Sequence, residues 1–220
     1  MNNVVLNRIY IAVCCAFLIY GTGCQSMYYK AMEKVGYHKR DIMVDRVKDA
    51  RDAQEEAKEQ FKSALEKFSS VLNFKGGELE DKYNQLSEEY DRSEEKARAV
   101  RERIDAVENV SEALFDEWED ELAQYSSDSL RRSSEQKLQR TRKQYTQLIN
   151  AMKRAEKKIA PVLTAFHDQV LFLKHNLNAQ AILSLKNELV SVESDVSSLI
   201  REMEKSISEA DTFIQSMIKE

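Results

Sequence analysis

Turn-forming residues are scarce in this chain. It holds five glycines and one proline in 220 residues. Two of the glycines, Gly21 and Gly23, lie in the opening stretch, so the rest of the chain has only Gly36, Gly76, Gly77 and Pro161 to break it. A β-rich or loop-rich fold needs many more turns than that, so both are excluded. Cysteine is equally confined: Cys14, Cys15 and Cys24 are the only three. No disulfide framework and no cysteine-based zinc site can exist in the body of the protein. Histidine is limited to His38, His167 and His175. The last two stand eight residues apart, about 12 Å along a helix, too far to share a metal directly. No H-E-x-x-H, no paired Glu-x-x-His, no phosphate-binding loop and no serine-nucleophile motif occurs. These absences point to a protein that is not an enzyme, with no cofactor, no metal and no small-molecule substrate.

What remains is 32% charged and rich in Ala, Glu, Lys, Leu, Arg and Gln, the composition of long helices. Apolar positions step by four and three from Met43 through Val47, Ala50, Gln54, Ala57, Phe61, Ala64 and Phe68 to Val71, with Gln54 alone polar. The alternation restarts at Leu79 and runs to Trp118, restarts at Leu138 and runs to Phe166, and runs a fourth time from Ile182 to Met203. A 3.5-residue period held over three or more heptads is a coiled-coil signature. The stops fall between the runs: Gly76-Gly77, the serine-rich stretch around Ser126 and Ser127, and Asn176 to Asn178. Asp41 favours the first helix start. The spacing predicts an all-α, elongated antiparallel coiled-coil bundle of three to four long helices at about 38–74, 78–125, 129–176 and 179–218. Each would be about 50–70 Å long, with a kink or break at Pro161. Whether the seam closes within one chain or between two is left open by the pattern.

The charge is unevenly spread. Residues 78–121 carry 17 acidic and 6 basic side chains, and residues 131–158 carry 10 basic (Arg131, Arg132, Lys137, Arg140, Arg142 and Lys143 among them) and 2 acidic. Folded back as a hairpin, the basic stretch would lie beside Glu102, Asp105, Glu108, Glu112 and Asp116. The expectation is therefore internal pairing, not nucleic-acid binding.

The N-terminus reads as an export signal. One positive charge, Arg8, precedes Ile9–Tyr20, twelve uncharged residues. That is the length of a signal-peptide core, while a spanning helix needs about 20. Gly21-Thr22-Gly23 then places small residues before Cys24. The stretch resembles a bacterial lipoprotein signal, in which residues 1–23 are removed and Cys24 becomes the acylated first residue. Gly21 departs from that pattern, which usually has Leu, Val or Ile there. The resemblance implies a lipid-proximal tether over 24–37 and the bundle over 38–220. Gln25 in place of Asp implies outer-membrane sorting on the periplasmic face. An inner-membrane anchor, uncleaved, is the alternative.

As a whole the chain resembles a family of uncharacterised Gram-negative lipoproteins known only as a domain of unknown function. The stretches "YYKAMEKVGYHKRDIMVDRVKDARDAQEEAKEQFKSALEKF", "FKGGELEDKYNQLSEEY" and "FHDQVLFLKHNLNAQAI" carry the likeness. The family lends no catalytic residue and no ligand. The expected function is a coiled-coil scaffold or adaptor. Its partners would be the membrane, through acyl chains, and either envelope proteins or further copies of itself. The alternatives are a helical protein that shapes the bilayer and an inner-membrane coiled-coil protein. Phe166, His167, Phe172 and His175, crowded after Pro161, are the candidate interaction surface.

Overall fold

The structure, a computed structural model, describes residues 38–72, 79–176 and 179–219. Cys24, the cleavage residues Gly21, Thr22 and Gly23, the tether, Gly76-Gly77 and Asn178 lie outside the described residues. The chain divides into two compact units, residues 1–42 and 43–220. Of the first, only the opening of a helix is described: the N–H groups of Asp41 and Ile42 donate to the His38 carbonyl at 2.9 and 3.1 Å. Asp41 sits in that first turn, where a negative charge suits the exposed N–H groups.

Four helices are described: α1 (Lys39–Leu72), α2 (Leu79–Leu122), α3 (Asp128–His175) and α4 (Ala179–Lys219). Cross-helix pairs fix their directions in the second unit. Arg103 meets Asp49 at 3.6 Å and Lys96 meets Glu56 at 2.7 Å, so residue numbers fall on α2 as they rise on α1. Arg142 meets Glu119, and Lys153 meets Glu108 at 2.7 Å. Arg154 meets Glu202 at 3.6 Å, and Ser216 donates to Gln144 at 3.1 Å. Arg51 meets Asp211 at 2.9 Å and closes α1 onto α4. The second unit is thus an up-and-down antiparallel bundle, and its seam closes within one chain.

The periodicity explains the core. All nine positions of the first run, Met43 to Val71, are buried, including Gln54. On α2 the buried residues include Leu86, Ala97, Val100, Ile104, Val107 and Leu114, and on α3 Leu148, Met152, Ile159, Val162 and Phe166. Phe166 packs against both Phe61 and Phe68, with ring centroids 6.3 and 6.4 Å apart. At the end where α1 and α3 finish and α2 and α4 begin, Phe68, Val71, Leu86, Leu173, Ile182 and Leu185 form one apolar cluster. The stripe on α4 runs beyond the Met203 limit read from sequence, through Ser206, Ala210, Phe213 and Met217.

Two expectations narrow. Helix α3 passes Pro161 as a single helix of 48 residues, without a break. The proline is exposed, so its ring and the carbonyl it leaves without a donor sit on the wet side, while Ile159, Val162 and Phe166 hold the other side in the core. Charge pairing between α2 and α3 is also narrower than the composition suggested. Arg142 and Lys153 carry it, reaching Glu119, Glu108 and, at 3.8 Å, Asp105. Arg131 turns instead to Asp128 in its own first turn, at 3.2 Å.

The serine-rich turn caps α3 as expected. Ser127 is the N-cap, its side chain accepting from the Leu130 N–H. At the other end Asn176 closes the helix, its Nδ2 donating to the Phe172 carbonyl at 2.9 Å.

Candidate interaction groove

Helices α3 and α4 pack closely along their length, yet a groove of about 420 Å³ opens between them. Its α3 wall is Ala165, Asp168, Gln169 and Phe172, and its α4 wall is Ser184, Leu185, Glu188, Ser191 and Val192. These are i, i+3, i+4 and i+7 positions on α3 and i, i+1, i+4, i+7 and i+8 positions on α4, so each set is one edge of a helix. The cavity exists because small side chains stand where large ones would meet: Ala165 on one helix, Ser184 and Ser191 on the other. Buried Leu185 and Val192 supply an apolar floor.

Three features give the groove chemical character. Phe172, a large hydrophobic residue, stays 37% exposed at its edge. Gln169 is 5% exposed, and its side-chain oxygen is buried with no hydrogen-bond partner among the described residues. Asp168 and Glu188 place two exposed carboxylates at the rim. Together they suit an apolar side chain flanked by an N–H donor and a positive charge.

The four residues picked from sequence do not form one surface. Phe166 points into the core, against Phe61 and Phe68. His167 packs at a tilt against Tyr90 of α2, ring centroids 5.4 Å apart, and lies 3.7 Å from the Asp168 carboxylate. Burial first, and then the carboxylates of Glu94 and Asp91, push the Tyr90 phenol above its usual value. His175 is exposed at the helix end. Only Phe172 lines the groove. Gln169 was missed although it continues the α3 seam, three residues after Phe166 and four before Leu173. A polar residue on such a position is the signal that could have found it.

Among the described residues, no three His, Cys, Asp or Glu side chains gather in a way that could hold a metal. No helix among them is long and apolar enough to cross a membrane.

Fold and groove define an all-α antiparallel bundle protein with a side groove between its last two helices. Residues 28–217 match the family described as "Protein of unknown function (DUF2959)", and the chain belongs to that family. No curated protein and no solved structure matches it.

Proposed function

We propose that this chain is a non-enzymatic lipoprotein of the Gram-negative outer membrane, held at the periplasmic face through an acylated Cys24. Its bundle serves as a scaffold or adaptor for envelope proteins. The anchor rests on the sequence: a short uncharged core, then Gly21-Thr22-Gly23, then Cys24. Several acyl chains, at about 0.8 kcal/mol per buried methylene, make such an attachment firm.

The observation that carries the adaptor reading is the α3–α4 groove. A buried amide oxygen without a partner among the described residues, beside an exposed phenylalanine, is costly to leave unpaired and is relieved by a partner's N–H. Two measurements test the reading. Labelled palmitate should enter wild type and not Cys24→Ser; an unlabelled wild type removes the anchor. A photo-crosslinking side chain at Glu188 should capture a discrete envelope protein in cells, and Gln169→Leu with Phe172→Ala should abolish the capture. A groove position that crosslinks to nothing, or equally well in the double variant, removes the docking site.

A further inference from the structure

Helix α3 carries a cationic stripe that the bundle does not use. At 100° per residue, Arg132, Arg140, Lys143, Arg154, Lys157 and Lys158 fall within an arc of about 100°. They extend about 39 Å along the helix. All six are exposed. The other exposed residues on that arc between Arg132 and Lys158 are the amides Gln136, Gln139, Gln147 and Asn150, with no carboxylate among them. Arg154 reaches Glu202 at 3.6 Å, while the other five make no ion pair among the described residues.

An ordinary solvated helix face does not look like this. On α1, Lys48 pairs with Asp45, Arg46 with Asp49, Lys58 with Glu55 and Lys62 with Glu59, each three residues apart. Opposite charges interleaved in that way satisfy one another within one helix. On α3 the like charges stand in file, which costs energy unless something negative lies against them.

A matching negative file stands on α2. Asp91, Glu95, Glu102, Asp116 and Asp120 fall within an arc of about 60°, over about 44 Å. All five are exposed and make no ion pair among the described residues, and Arg98 is the one opposing charge on the arc. The two files are also level with each other. The Arg142–Glu119 and Lys153–Glu108 pairs set the antiparallel register of α2 against α3. In that register Asp116 and Asp120 stand level with Arg140 and Lys143, and Glu102 stands level with Lys157 and Lys158. Within one chain the two files face away from the core and cannot meet.

We infer that two copies of this chain associate side by side, the cationic file of α3 in one lying antiparallel along the acidic file of α2 in the other. Arg154 reaches Glu202, and the groove residues Ala165, Asp168 and Phe172 share its arc, so the cationic file lies on the side of α3 toward α4 and away from α2. The contact is therefore heterologous: each copy offers one file to each neighbour. The interface is charge-driven and has little apolar area, so it is salt-sensitive and weak in dilute solution. Tethering many copies to one surface would raise their effective concentration and favour it. The contact itself does not depend on the lipid anchor or on the groove.

The test uses full-length chain in a neutral detergent, mixed from isotopically light and heavy preparations and treated with a zero-length carbodiimide. Mixed-isotope crosslinks joining Lys143, Lys157 or Lys158 to Glu102, Asp116 or Asp120 are expected at low ionic strength. They should disappear at about 0.5 M salt. The triple variant R140E/K143E/K157E and the triple variant E102K/D116K/D120K should each weaken self-association by about tenfold or more. Mixing the two variants should restore it, which also shows that both are folded. Wild type without mixed crosslinks overturns the inference, as do triple variants that associate normally or a mixture that stays apart. Capture of wild type by phosphatidylglycerol vesicles, lost in the α3 variant while no copy-to-copy crosslink forms, would assign the file to a lipid surface instead.

Discussion

Gln54 occupies a position that the rest of its seam gives to apolar or small side chains. It is fully buried, and neither its side-chain nitrogen nor its side-chain oxygen has a hydrogen-bond partner among the described residues. Ser206 on α4, whose hydroxyl is likewise orphaned, stands at nearly the same level, as the Arg51–Asp211 pair shows. An unsatisfied buried amide costs about 1–3 kcal/mol. Gln54→Leu should therefore raise the free energy of unfolding by about that amount in urea titrations. A destabilised variant would mean that the amide has a partner and fixes the register of the bundle, as polar seam residues do in coiled coils. Phenylalanines provide the contrasting case. Phe61 is fully buried against Phe166, whereas Phe172 is 37% exposed at the groove. Phe61→Ala should cost about 3–5 kcal/mol. Phe172→Ala should lie within about 0.5–1 kcal/mol of wild type. Equal losses would place Phe172 in the core. Sequence periodicity identified both Gln54 and Phe61 as seam residues. It grouped Phe172 with Phe166, because closeness along a chain does not say which side of a helix a residue takes.

Pro161 bears on a whole element. Its ring lacks an N–H and removes one rung of the helical ladder, yet α3 continues to His175. Tertiary packing of Ile159, Val162, Phe166 and Leu173 overrides the local preference, because these side chains are buried on the face opposite the exposed proline. Pro161→Ala leaves that packing intact and restores the missing hydrogen bond. Proline is about 3 kcal/mol worse than alanine in a helix interior, so the variant should gain about 1–3 kcal/mol in equilibrium unfolding. No gain, or a loss, would show that a bend at Pro161 is part of how α3 fits its neighbours. The apolar face of each helix was legible in the sequence because heptad spacing is a local property. The end of the α4 stripe was not, because Ser206 interrupts the apolar run while still pointing inward. The groove was illegible for a different reason. It arises where Ala165 happens to face Ser184 and Ser191, and periodicity does not say which small residues on two helices will meet.

Across the second unit, burial is graded from one end to the other. The end built around Phe68, Leu173 and Leu185 is closed by an apolar cluster. Toward the α2–α3 turn the core thins out: Phe115 is the last buried residue on α2, Leu138 the first on α3, and every residue from Asp116 to Lys137 is exposed or half-buried. A few polar contacts hold that hairpin. The Trp118 indole N–H donates to the Ser134 hydroxyl at 2.8 Å, Ser127 caps α3, and Arg142 joins Glu119 while its guanidinium lies over the Phe115 ring. Local opening follows the density of buried apolar contacts, so the hairpin should open without unfolding the rest. Hydrogen exchange followed by mass spectrometry should find peptides within 116–137 exchanging well before those around Phe61, Met152 and Leu199. Trp118→Phe, which deletes the indole donor and keeps a ring, should speed exchange in the hairpin and leave the distant core peptides unchanged. Uniform protection along α2 and α3, or a Trp118→Phe effect spread over all four helices, would show instead that the hairpin opens only with the whole bundle. In that case the few polar contacts at its tip would be as strongly coupled to the core as the apolar cluster at the other end.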